Sequence, residues 1–277
     1  MRIKLSLVVA MGAIALSSAG CASESTSNDG ESTGSTAKSF EEWKSTVQQE
    51  SDTGIWIVDR DIPVDSEEKL HSFYERYVQQ GALIVDNNNG VDSKWNATQK
   101  LNITYCVSKS SFGSNYNRVV QAMRDAGNAW TAVANVKFVY KSDQDGNCTV
   151  RNNNVVFNVR IGGSGFSGRA FFPGDGRSSR EVLIGPTAAK GSNPNGPETL
   201  TGLLRHELGH TLGFRHEHTR PESGASDCFE DNNWRELTPY DASSVMHYPW
   251  CNGGNTGDLR ITASDAEGAA KLYGNPR

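Results

Sequence analysis

Residues 206–216 read HELGHTLGFRH, and this segment places three histidines at spacings that suit one metal ion. Because an α-helix has about 3.6 residues per turn, His206 and His210 lie on the same helical face, and both imidazoles can reach one ion. Gly213 can adopt the positive φ that ends a helix. The reversed chain then brings His216 back as a third nitrogen ligand, so the segment predicts a metal centre.

Glu207 lies next to the first histidine, where a carboxylate suits a general base that takes a proton from a metal-bound water without joining the ligand set. As an alternative, HExxH alone is an ordinary amphipathic pattern, since helical histidines are often solvated or buried in a core. The third histidine has the spacing of the longer zinc-peptidase motifs. With His247, these positions hold four of the six histidines in the chain, which favours zinc over chance.

A second block, residues 240–248, reads YDASSVMHY. Together the two blocks resemble the astacin-like branch of the metzincin zinc metallopeptidases, which carries Gly-Phe-x-His-Glu after the second histidine and Ser-x-Met-His-Tyr farther on. Gly213 and Glu217 fall in the first motif, and Met246 and Tyr248 fall in the second. The resemblance implies one catalytic Zn²⁺ held by the three histidines.

The resemblance also implies roles for the residues around the metal. Met246 would form an apolar floor beneath the zinc ligands, and Tyr248 would be both a switchable fifth ligand and a catalytic residue that hydrogen-bonds the transition state. The alternatives are a plain core methionine and an ordinary half-buried tyrosine. The astacin counterpart of Glu217 pairs with the buried amino terminus of the mature enzyme, so the structural role of Glu217 depends on where this chain is trimmed.

The chain is also similar to the bacterial (myxobacterial) HEIGH-type metallopeptidases. Leu208 replaces the isoleucine of that motif, and residues 105–108 and 112–113 add to the likeness. Within the broader branch, the resemblance is closest to this bacterial group. One departure follows Arg220, where residues 221–223 do not continue the astacin Asp-Arg-Asp pattern.

Residues 1–20 have the composition of a signal peptide, with two cations, an apolar run at 5–16 and then small residues. The apolar run is too short to span a bilayer. Cys21 follows in a lipoprotein cleavage box, which predicts lipidation and a membrane anchor. Because Ser18 stands where leucine is usual, a soluble secreted protein cut nearby is the alternative. We expect an extracytoplasmic address, either as a lipoprotein of the bacterial outer membrane or cell surface or as a secreted protein.

Two regions precede the metal-binding part of the chain. Residues 21–38 are almost entirely Ser, Thr, Gly, Asn and acidic residues, which predicts a flexible tether. Residues 39–94 are interpreted as a propeptide or N-terminal inhibitory region. Its pattern predicts a strand at 55–58 that ends at Pro63 and an amphipathic helix at 67–80.

The inhibitory interpretation rests on a short acidic stretch. Astacin propeptides block the zinc with an aspartate, and residues 58–62, VDRDI, resemble that stretch without its phenylalanine and glycine. The resemblance implies that Asp61, or else Asp59, caps the metal in a latent form. A solvated carboxylate in a turn is the alternative.

The chain has five cysteines, and four remain once Cys21 is set aside for lipid. Four cysteines allow three pairings. We favour Cys106 with Cys148 and Cys228 with Cys251, because each pair then stays within one half of the catalytic domain. Oxidised pairs fit an extracytoplasmic setting. Zinc binding is the competing use, but the sequence has no CxxC spacing and its histidine set is complete.

Residues 95–277 form the predicted zinc metallopeptidase catalytic domain and are long enough to bury one core. Strands are predicted at 101–107, 136–140, 155–161, 168–172 and 180–184. Helices are predicted at 116–133 and at 198–212, the second with Pro197 in its first turn. A last helix is predicted near the end of the chain, with Ser264 and Glu267 as its capping box and Leu272 as its last residue. The order predicts an α+β fold. Like metzincins, it would have a twisted mixed sheet whose edge strand lies over a long zinc-binding helix, and an irregular C-terminal subdomain with a final helix.

The predicted partners are protein or peptide substrates bound in extended form. Such a peptide can add to a sheet edge by main-chain hydrogen bonds, and we expect that edge at 180–185, directly before the metal helix. The loop 173–176 could hold calcium, but it lacks spaced carboxylates and reads as a turn. A formal net charge of −5 argues against a nucleic-acid partner. We expect a monomer.

These features predict a secreted or lipid-anchored zinc-dependent endopeptidase with Glu207 as general base. Zinc and Tyr248 would stabilise the oxyanion of the transition state. Two alternatives come from another class of protein: a non-proteolytic zinc-containing surface adhesin, and a lipoprotein that binds envelope polymers. An intact Glu207 argues against the first, and the sequence shows no carbohydrate or peptidoglycan module to support the second.

Overall fold

The computed structural model describes residues 40–45, 47–58, 62–77, 84–88, 90–191, 198–230, 233–254 and 257–277. The predicted signal peptide, the predicted lipidation site Cys21 and the predicted tether lie outside the described residues, and so do Asp59 and Asp61. Within the described ranges, none of the helices combines the length and the apolar composition that crossing a bilayer requires.

The elements of the described part of the chain are short apart from the four helices α2, α4, α6 and α7, whose bounds follow. The strands are β1 (Gln48–Gln49), β2 (Trp56–Val58), β3 (Ile62–Val64), β4 (Val85–Asn88), β5 (Val91–Asp92), β6 (Ile103–Val107), β7 (Phe138–Tyr140), β8 (Phe157–Ile161), β9 (Gly168–Arg169), β10 (Glu181–Ile184) and β11 (Trp234–Arg235). The helices are α1 (Phe40–Lys44), α2 (Glu67–Tyr77), α3 (Lys109–Phe112), α4 (Tyr116–Val133), α5 (Pro186–Ala189), α6 (Leu200–Thr211) and α7 (Ala263–Tyr273).

The central sheet has the strand order β7-β6-β8-β10-β9. Neighbouring strands among β7, β6, β8 and β10 run parallel. Strand β9 runs antiparallel to β10, with Gly168 opposite Ile184 and Arg169 opposite Leu183. This mixed sheet, combined with helices, confirms the predicted α+β fold class.

The outer strand beside the metal helix is β9, and the predicted edge at 180–185 is therefore wrong. Strand β10 pairs with β8 on one side and with β9 on the other, so it lies inside the sheet. Strand β9 contains only Gly168 and Arg169. The sequence predicts a strand at 168–172, but its place at the edge follows from pairing with β10, which a local pattern does not reveal.

Helix α6, which carries His206 and His210, begins two residues later than predicted. Thr199 is its N-cap, and the threonine side chain accepts a hydrogen bond from the Gly202 backbone N–H at 3.0 Å. This contact pairs one of the N–H groups that the first turn of a helix leaves without a backbone acceptor. Pro197, which was predicted in the first turn, lies outside the described residues.

The capping box of α7 is formed by Thr262 and Asp265, not by the predicted Ser264 and Glu267. The Thr262 side chain accepts from the Asp265 N–H at 3.1 Å, and the Asp265 carboxylate accepts from the Thr262 N–H at 2.9 Å. Threonine and aspartate reproduce the reciprocal pattern that serine and glutamate would form two residues farther on. The Asp265 carboxylate also accepts from the Ser244 hydroxyl at 2.6 Å, which ties α7 to the segment before Met246.

Pro63 lies inside β3 and does not mark the end of a strand. Strands β2 and β3 pair as an antiparallel hairpin in which Ile57 stands opposite Pro63. Because β3 is an outer strand of the β1-β2-β3 sheet, a residue without an N–H is tolerated there. The hairpin is joined by residues 59–61.

Helices α4 and α6 pack against each other beneath the sheet. Trp130 of α4 is 1% exposed, and its ring stacks on Phe214 with the centroids 5.2 Å apart. The Trp130 indole N–H donates to the Arg205 carbonyl oxygen at 2.8 Å, which gives this buried polar group its partner. These contacts hold α6 in place and so position the histidines that it carries.

Two disulfides link residues that are distant in the sequence. Cys106 of β6 is bonded to Cys148, with the Cα atoms 5.6 Å apart. Cys228 is bonded to Cys251, with the Cα atoms 5.9 Å apart. The second bridge connects the chain that follows the histidine segment with the chain that follows Tyr248.

The N-terminal region lies against the outer side of the sheet. Val58 and Val64 of the hairpin are buried and pack with Phe172, which follows β9. Glu50 forms a buried ion pair with Arg169 of β9, in which Oε2 and Nη2 are 3.5 Å apart. The hairpin therefore packs close to the strand that forms the edge of the sheet.

Gly213 makes the turn between α6 and His216, with φ at +92°. A Cβ at this position would overlap the carbonyl oxygen of Ser93. We expect Gly213→Ala to lower the free energy of unfolding by about 2–4 kcal/mol, because it adds a collision with the backbone to an unfavourable φ. Urea or thermal unfolding of the purified protein measures this loss.

Gly274→Ala is the matched control. Gly274 has φ at +89°, but the nearest atom to a Cβ there, the Asn135 Cβ, is 3.9 Å away. The control should lose about 1 kcal/mol from its backbone conformation alone. Equal losses in the two variants would contradict the collision.

Candidate active site

Three histidine side chains meet where α6 ends. The Nε2 atoms of His206 and His216 are 3.1 Å apart, and those of His206 and His210 are 3.2 Å apart. All three residues are buried. His206 and His210 lie on successive turns of α6, and the positive φ of Gly213 reverses the chain so that His216 returns to the same point. The described structure thus brings together the three predicted ligands.

The opposite ring nitrogens of the two helical histidines face carbonyl oxygens. Nδ1 of His206 is 2.8 Å from the Val245 oxygen, and Nδ1 of His210 is 2.9 Å from the Phe214 oxygen. Because a carbonyl oxygen can only accept a hydrogen bond, Nδ1 carries the proton in both neutral rings. Each Nε2 therefore directs a lone pair toward the other imidazoles.

This arrangement fits a zinc ion. Lone pairs that face each other at about 3 Å repel unless a cation lies between them, and a cation is what three converging imidazole nitrogens bind. Three histidines are a common ligand set of catalytic zinc sites that leave a position for water. His206, His210 and His216 could hold one ion, as the sequence predicts.

Glu207 lies between this centre and the edge of the sheet. Its side chain is buried, and a Cβ at Gly168 of β9 would overlap the Glu207 Oε1 atom. Glycine at position 168 therefore leaves room for the carboxylate directly against the strand. A peptide that paired along β9 would pass beside Glu207.

Met246 packs directly against α6. A Cβ at Gly209 would overlap the Met246 Sδ atom, so the absence of a side chain at position 209 lets the turn approach the helix. The Met246 carbonyl oxygen accepts from the Glu217 N–H at 2.8 Å. Met246 thereby connects the helix that carries two histidines with the chain that follows the third.

Tyr248 lies beside the three histidines. Its ring centroid is 5.4 Å from that of His206 and 4.5 Å from that of His216. Trp250 stacks on the Tyr248 ring at 4.4 Å and is itself 44% exposed. The tyrosine is therefore close enough to the centre to take the two roles predicted for it.

Glu217 is buried behind the third histidine. Its Oε1 atom accepts from the Asp241 N–H at 2.9 Å and from the Arg220 Nη1 at 3.2 Å. Burial raises the pKa of Glu217 to about 8 in spite of these contacts. A cavity of about 30 Å³ lies beside it and is also lined by Asp265. Glu217 therefore ties the segment after His216 to the segment that leads to Met246, and its pairing with a trimmed amino terminus stays a prediction.

Glu230 is a buried carboxylate that the sequence did not single out. It contacts the His216 Nδ1 atom, the His218 Nε2 atom at 3.3 Å and the Arg215 Nη2 atom at 3.2 Å. Burial alone would raise the pKa of Glu230, but its contacts with His216, the hydrogen bond from His218 and the charge of Arg215 hold this pKa well below its usual range. Glu230 lies 14 residues after His216, and no spacing rule links the two.

The loop considered for calcium contains one carboxylate. Asp175 is half-buried, and its Oδ2 atom accepts from the Phe172 N–H at 2.9 Å, which closes a turn. Burial raises the pKa of Asp175. The Asp175 N–H also donates to the Phe172 carbonyl oxygen at 2.9 Å, so residues 172–175 form a turn.

A cavity of about 110 Å³ opens beside Glu207. Leu203, Leu259 and Trp250 form apolar parts of its wall, and Glu198 adds a second carboxylate. Leu203 lies one helical turn before Glu207 on the same face of α6. An apolar hollow with a few polar groups, next to the carboxylate that the sequence predicts to be the general base, has the character of a pocket for a side chain.

Residues 94–223 match the Matrixin family of peptidases, and this range contains all three histidines and Glu207. Together with the sequence relatives, the match supports the predicted class of protein, a zinc metalloendopeptidase similar to the matrixin and astacin-like metzincins. It also supports zinc as the cofactor.

Two relatives are similar to this chain over short segments. Zinc metalloproteinase nas-30 of Caenorhabditis elegans is 39% identical over 64 residues, which cover 17% of this chain and 9% of that protein. The astacin-like metalloendopeptidase of Mus musculus is 35% identical over 96 residues, which cover 28% of this chain and 20% of that protein. The chain thus spans less than a quarter of the length of either relative.

A solved structure also matches the chain. It is high choriolytic enzyme 1, a hatching-enzyme zinc protease of Oryzias latipes. The match has a TM-score of 0.43 and 21% sequence identity, and it covers 65% of this chain and 94% of that chain.

Proposed function

We propose that this chain is a zinc-dependent endopeptidase that cleaves extended segments of protein or peptide substrates. The observation that carries the proposal is the convergence of three imidazoles, in which the Nε2 atom of His206 is 3.1 Å from that of His216 and 3.2 Å from that of His210. Glu207 lies beside the three histidines and against β9, where it can act as the general base. Hydrolysis therefore needs no second buried carboxyl group.

In the proposed reaction, Glu207 takes a proton from the attacking water and later donates it to the leaving amine. Zinc, when bound by the three histidines, supplies the Lewis acidity that makes water a nucleophile near neutral pH. The Tyr248 hydroxyl donates a hydrogen bond to the oxyanion, whose charge develops only in the transition state. Burial of Glu207 limits competition from bulk water for its hydrogen bonds.

The substrate is proposed to pair with the outer side of β9 through main-chain hydrogen bonds. Because Gly168 has no side chain, the carbonyl to be attacked can come close to Glu207. The cavity lined by Leu203 and Trp250 then receives one substrate side chain. Recognition of the backbone explains why an extended segment is required, and the cavity adds a preference among side chains.

The proposal includes export and a monomeric state. Residues 1–20 would direct secretion, and Cys21 would carry a lipid anchor at the outer membrane or cell surface, unless the chain is cut nearby and released. The two disulfides support an oxidising compartment. The close likeness to the bacterial HEIGH-type metallopeptidases remains part of the proposal.

The two non-catalytic alternatives, a zinc-containing adhesin and an envelope-polymer binding lipoprotein, have no structural observation in their favour. A casein zymogram with and without a chelator separates them from a peptidase. A band of cleared casein that disappears with the chelator supports the peptidase, and the absence of clearing by matured protein argues for a binding protein.

The role of Glu207 is tested with Glu207→Gln in the trimmed protein. We expect about one equivalent of bound zinc to remain, while the rate of casein hydrolysis falls by about 10²–10⁴-fold, because the general base is lost. Bound metal is measured by atomic absorption and hydrolysis by fluorescence.

Two further variants frame this result. Glu267→Gln removes a carboxylate from the solvent-facing side of α7 and should leave both quantities unchanged. His210→Ala should lose the metal and the activity together. Hydrolysis by Glu207→Gln at the rate of the parent would show that another group is the base.

We also propose that residues 39–94 keep the untrimmed chain latent. The hairpin of β2 and β3 packs on Phe172, and the Phe172 ring is 5.7 Å from that of His210. Only one side chain, that of Phe172, separates the hairpin core from His210. Asp59 and Asp61 lie between β2 and β3 in the sequence, and one of these two aspartates is proposed to take the place of the catalytic water.

Replacing the capping aspartate should relieve latency. We expect Asp61→Ala, or else Asp59→Ala, to raise the activity of the untrimmed chain toward that of the trimmed enzyme, because no carboxylate then competes with water. A fluorogenic peptide assay measures the difference. Asp65→Ala, an exposed aspartate of the same region, is the control. Latency that persisted in both Asp61→Ala and Asp59→Ala would show that neither aspartate caps the metal.

The side-chain cavity should control specificity at one substrate position. We expect Leu203→Ala to broaden the preference there toward larger side chains, because the substitution enlarges an apolar wall of the cavity. Sequencing of the products from a peptide library measures the preference. Leu272→Ala, a core substitution in α7, should lower stability but leave the preference unchanged. A library profile identical to that of the parent at every position would exclude this cavity as the side-chain pocket.

A further inference from the structure

Behind His216 lies a group of buried charges that the proposed reaction does not use. Glu230 has a side chain with 0% exposure, and the side chain of Arg215 beside it is 2% exposed. Burying a carboxylate costs several kcal/mol unless hydrogen bonds and opposite charges compensate. A carboxylate placed here by the fold therefore needs every one of its partners, and those partners include a predicted zinc ligand.

The two carboxylate oxygens have different partners. Oε1 contacts the His216 Nδ1 atom and lies 3.3 Å from the His218 Nε2 atom. Oε2 lies 3.2 Å from the Arg215 Nη2 atom. Arg215 thus anchors one oxygen while the other bridges two imidazole rings, which stack with their centroids 4.7 Å apart.

The hydrogen bonds of His218 show which of its two ring nitrogens accepts and which donates. The Tyr248 backbone N–H donates to the His218 Nδ1 atom at 3.1 Å, so this nitrogen holds the lone pair. The proton of the neutral ring must then lie on Nε2, which donates it to Glu230. A continuous path of contacts runs from His216 through Glu230 and His218 to the main chain of Tyr248.

His216 also differs from the other two predicted ligands. His206 and His210 donate to neutral carbonyl oxygens, whereas His216 faces an anionic acceptor. A carboxylate behind a metal-binding imidazole fixes the ring and raises the basicity of the nitrogen that faces the metal. His216 comes from a loop beyond the helix end, so it lacks the rigid helical backbone that orients the other two.

We propose that Glu230 is a positioning residue that orients His216 toward the metal and, through His218, holds Tyr248 beside it. This inference rests on the proposed function, since it assigns a role toward the same zinc. The disulfide between Cys228 and Cys251 supports it, because the bridge joins the chain two residues before Glu230 to the chain three residues after Tyr248. The Cys251 N–H also donates to the Tyr248 carbonyl oxygen at 3.1 Å.

The first test is zinc affinity in Glu230→Gln, measured by competition with a chromophoric chelator. The substitution keeps the shape of the side chain and removes its charge. We expect zinc to bind about 10–100-fold more weakly, because the His216 Nε2 atom becomes less basic and the ring is less firmly oriented. The absorption spectrum of the protein loaded with Co²⁺ should also change, since it reports the geometry of the ligands.

Glu181→Gln is the matched control. Glu181 is another buried carboxylate, paired with the Arg160 guanidinium and the Asn158 amide on the sheet. Its loss should destabilise the fold without changing zinc affinity or the Co²⁺ spectrum. If Glu230→Gln and Glu181→Gln both retain the zinc affinity of the parent, Glu230 is structural only and the inference is overturned.

The proposed positioning of Tyr248 through His218 is tested separately with His218→Phe, which keeps a ring but removes both hydrogen bonds. We expect kcat to fall while KM and zinc affinity change little, because Tyr248 acts on the transition state. An unchanged kcat would overturn the proposed positioning of Tyr248 through His218. If Glu230→Gln does not fold, Glu230→Asp keeps the charge at a greater distance and should weaken zinc binding in the same direction; parent-like affinity in it would overturn the inference.

These outcomes are distinct from a failure of the proposed function. A parent protein that bound no zinc and cleaved no peptide would reject the peptidase itself. A parent that is active, together with Glu230 variants of unchanged zinc affinity, would reject only the positioning role.

Discussion

The metal centre depends on where each imidazole ring keeps its single proton. A neutral ring can present a lone pair on Nε2 only if Nδ1 holds the hydrogen, and a buried Nδ1–H needs an acceptor. His206 and His210 find theirs in main-chain carbonyl oxygens, and His216 finds its acceptor in Glu230. The acceptors therefore decide which way all three rings face, and the fold around the site serves largely to place them.

That placement is made by close packing. The carbonyl that accepts from His206 belongs to Val245, and the next residue, Met246, reaches α6 because Gly209 has no side chain. Asp265 of α7 accepts from both the Ser244 hydroxyl and the Val245 N–H, which fixes the turn from its other side. A change in the position of α7 would be transmitted to the His206 ring through this short series of contacts.

Local spacing in the sequence predicted much of this site, and long-range contacts account for what it missed. The i, i+4 histidines and the glycine turn are properties of one continuous segment, so helix geometry alone indicates that their nitrogens can meet. Helix α4 was predicted at residues 116–133 and is observed there, because its apolar periodicity is long and regular. The sheet edge was predicted at 180–185 and lies instead at β9, because pairing between distant strands sets their order in a sheet.

The other misses have the same physical origin. The capping box of α7 was displaced by two residues because Thr262 with Asp265 and Ser264 with Glu267 offer the same local chemistry, and the contacts of Asp265 with Ser244 decide between them. Glu230 was missed because only the folded chain brings it to His216.

The disulfide that ties the Glu230 loop to the Tyr248 segment has a consequence for timing. In a reducing compartment that crosslink is open, so a newly made chain holds the Glu230 loop and the Tyr248 segment together less firmly until its cysteines are oxidised.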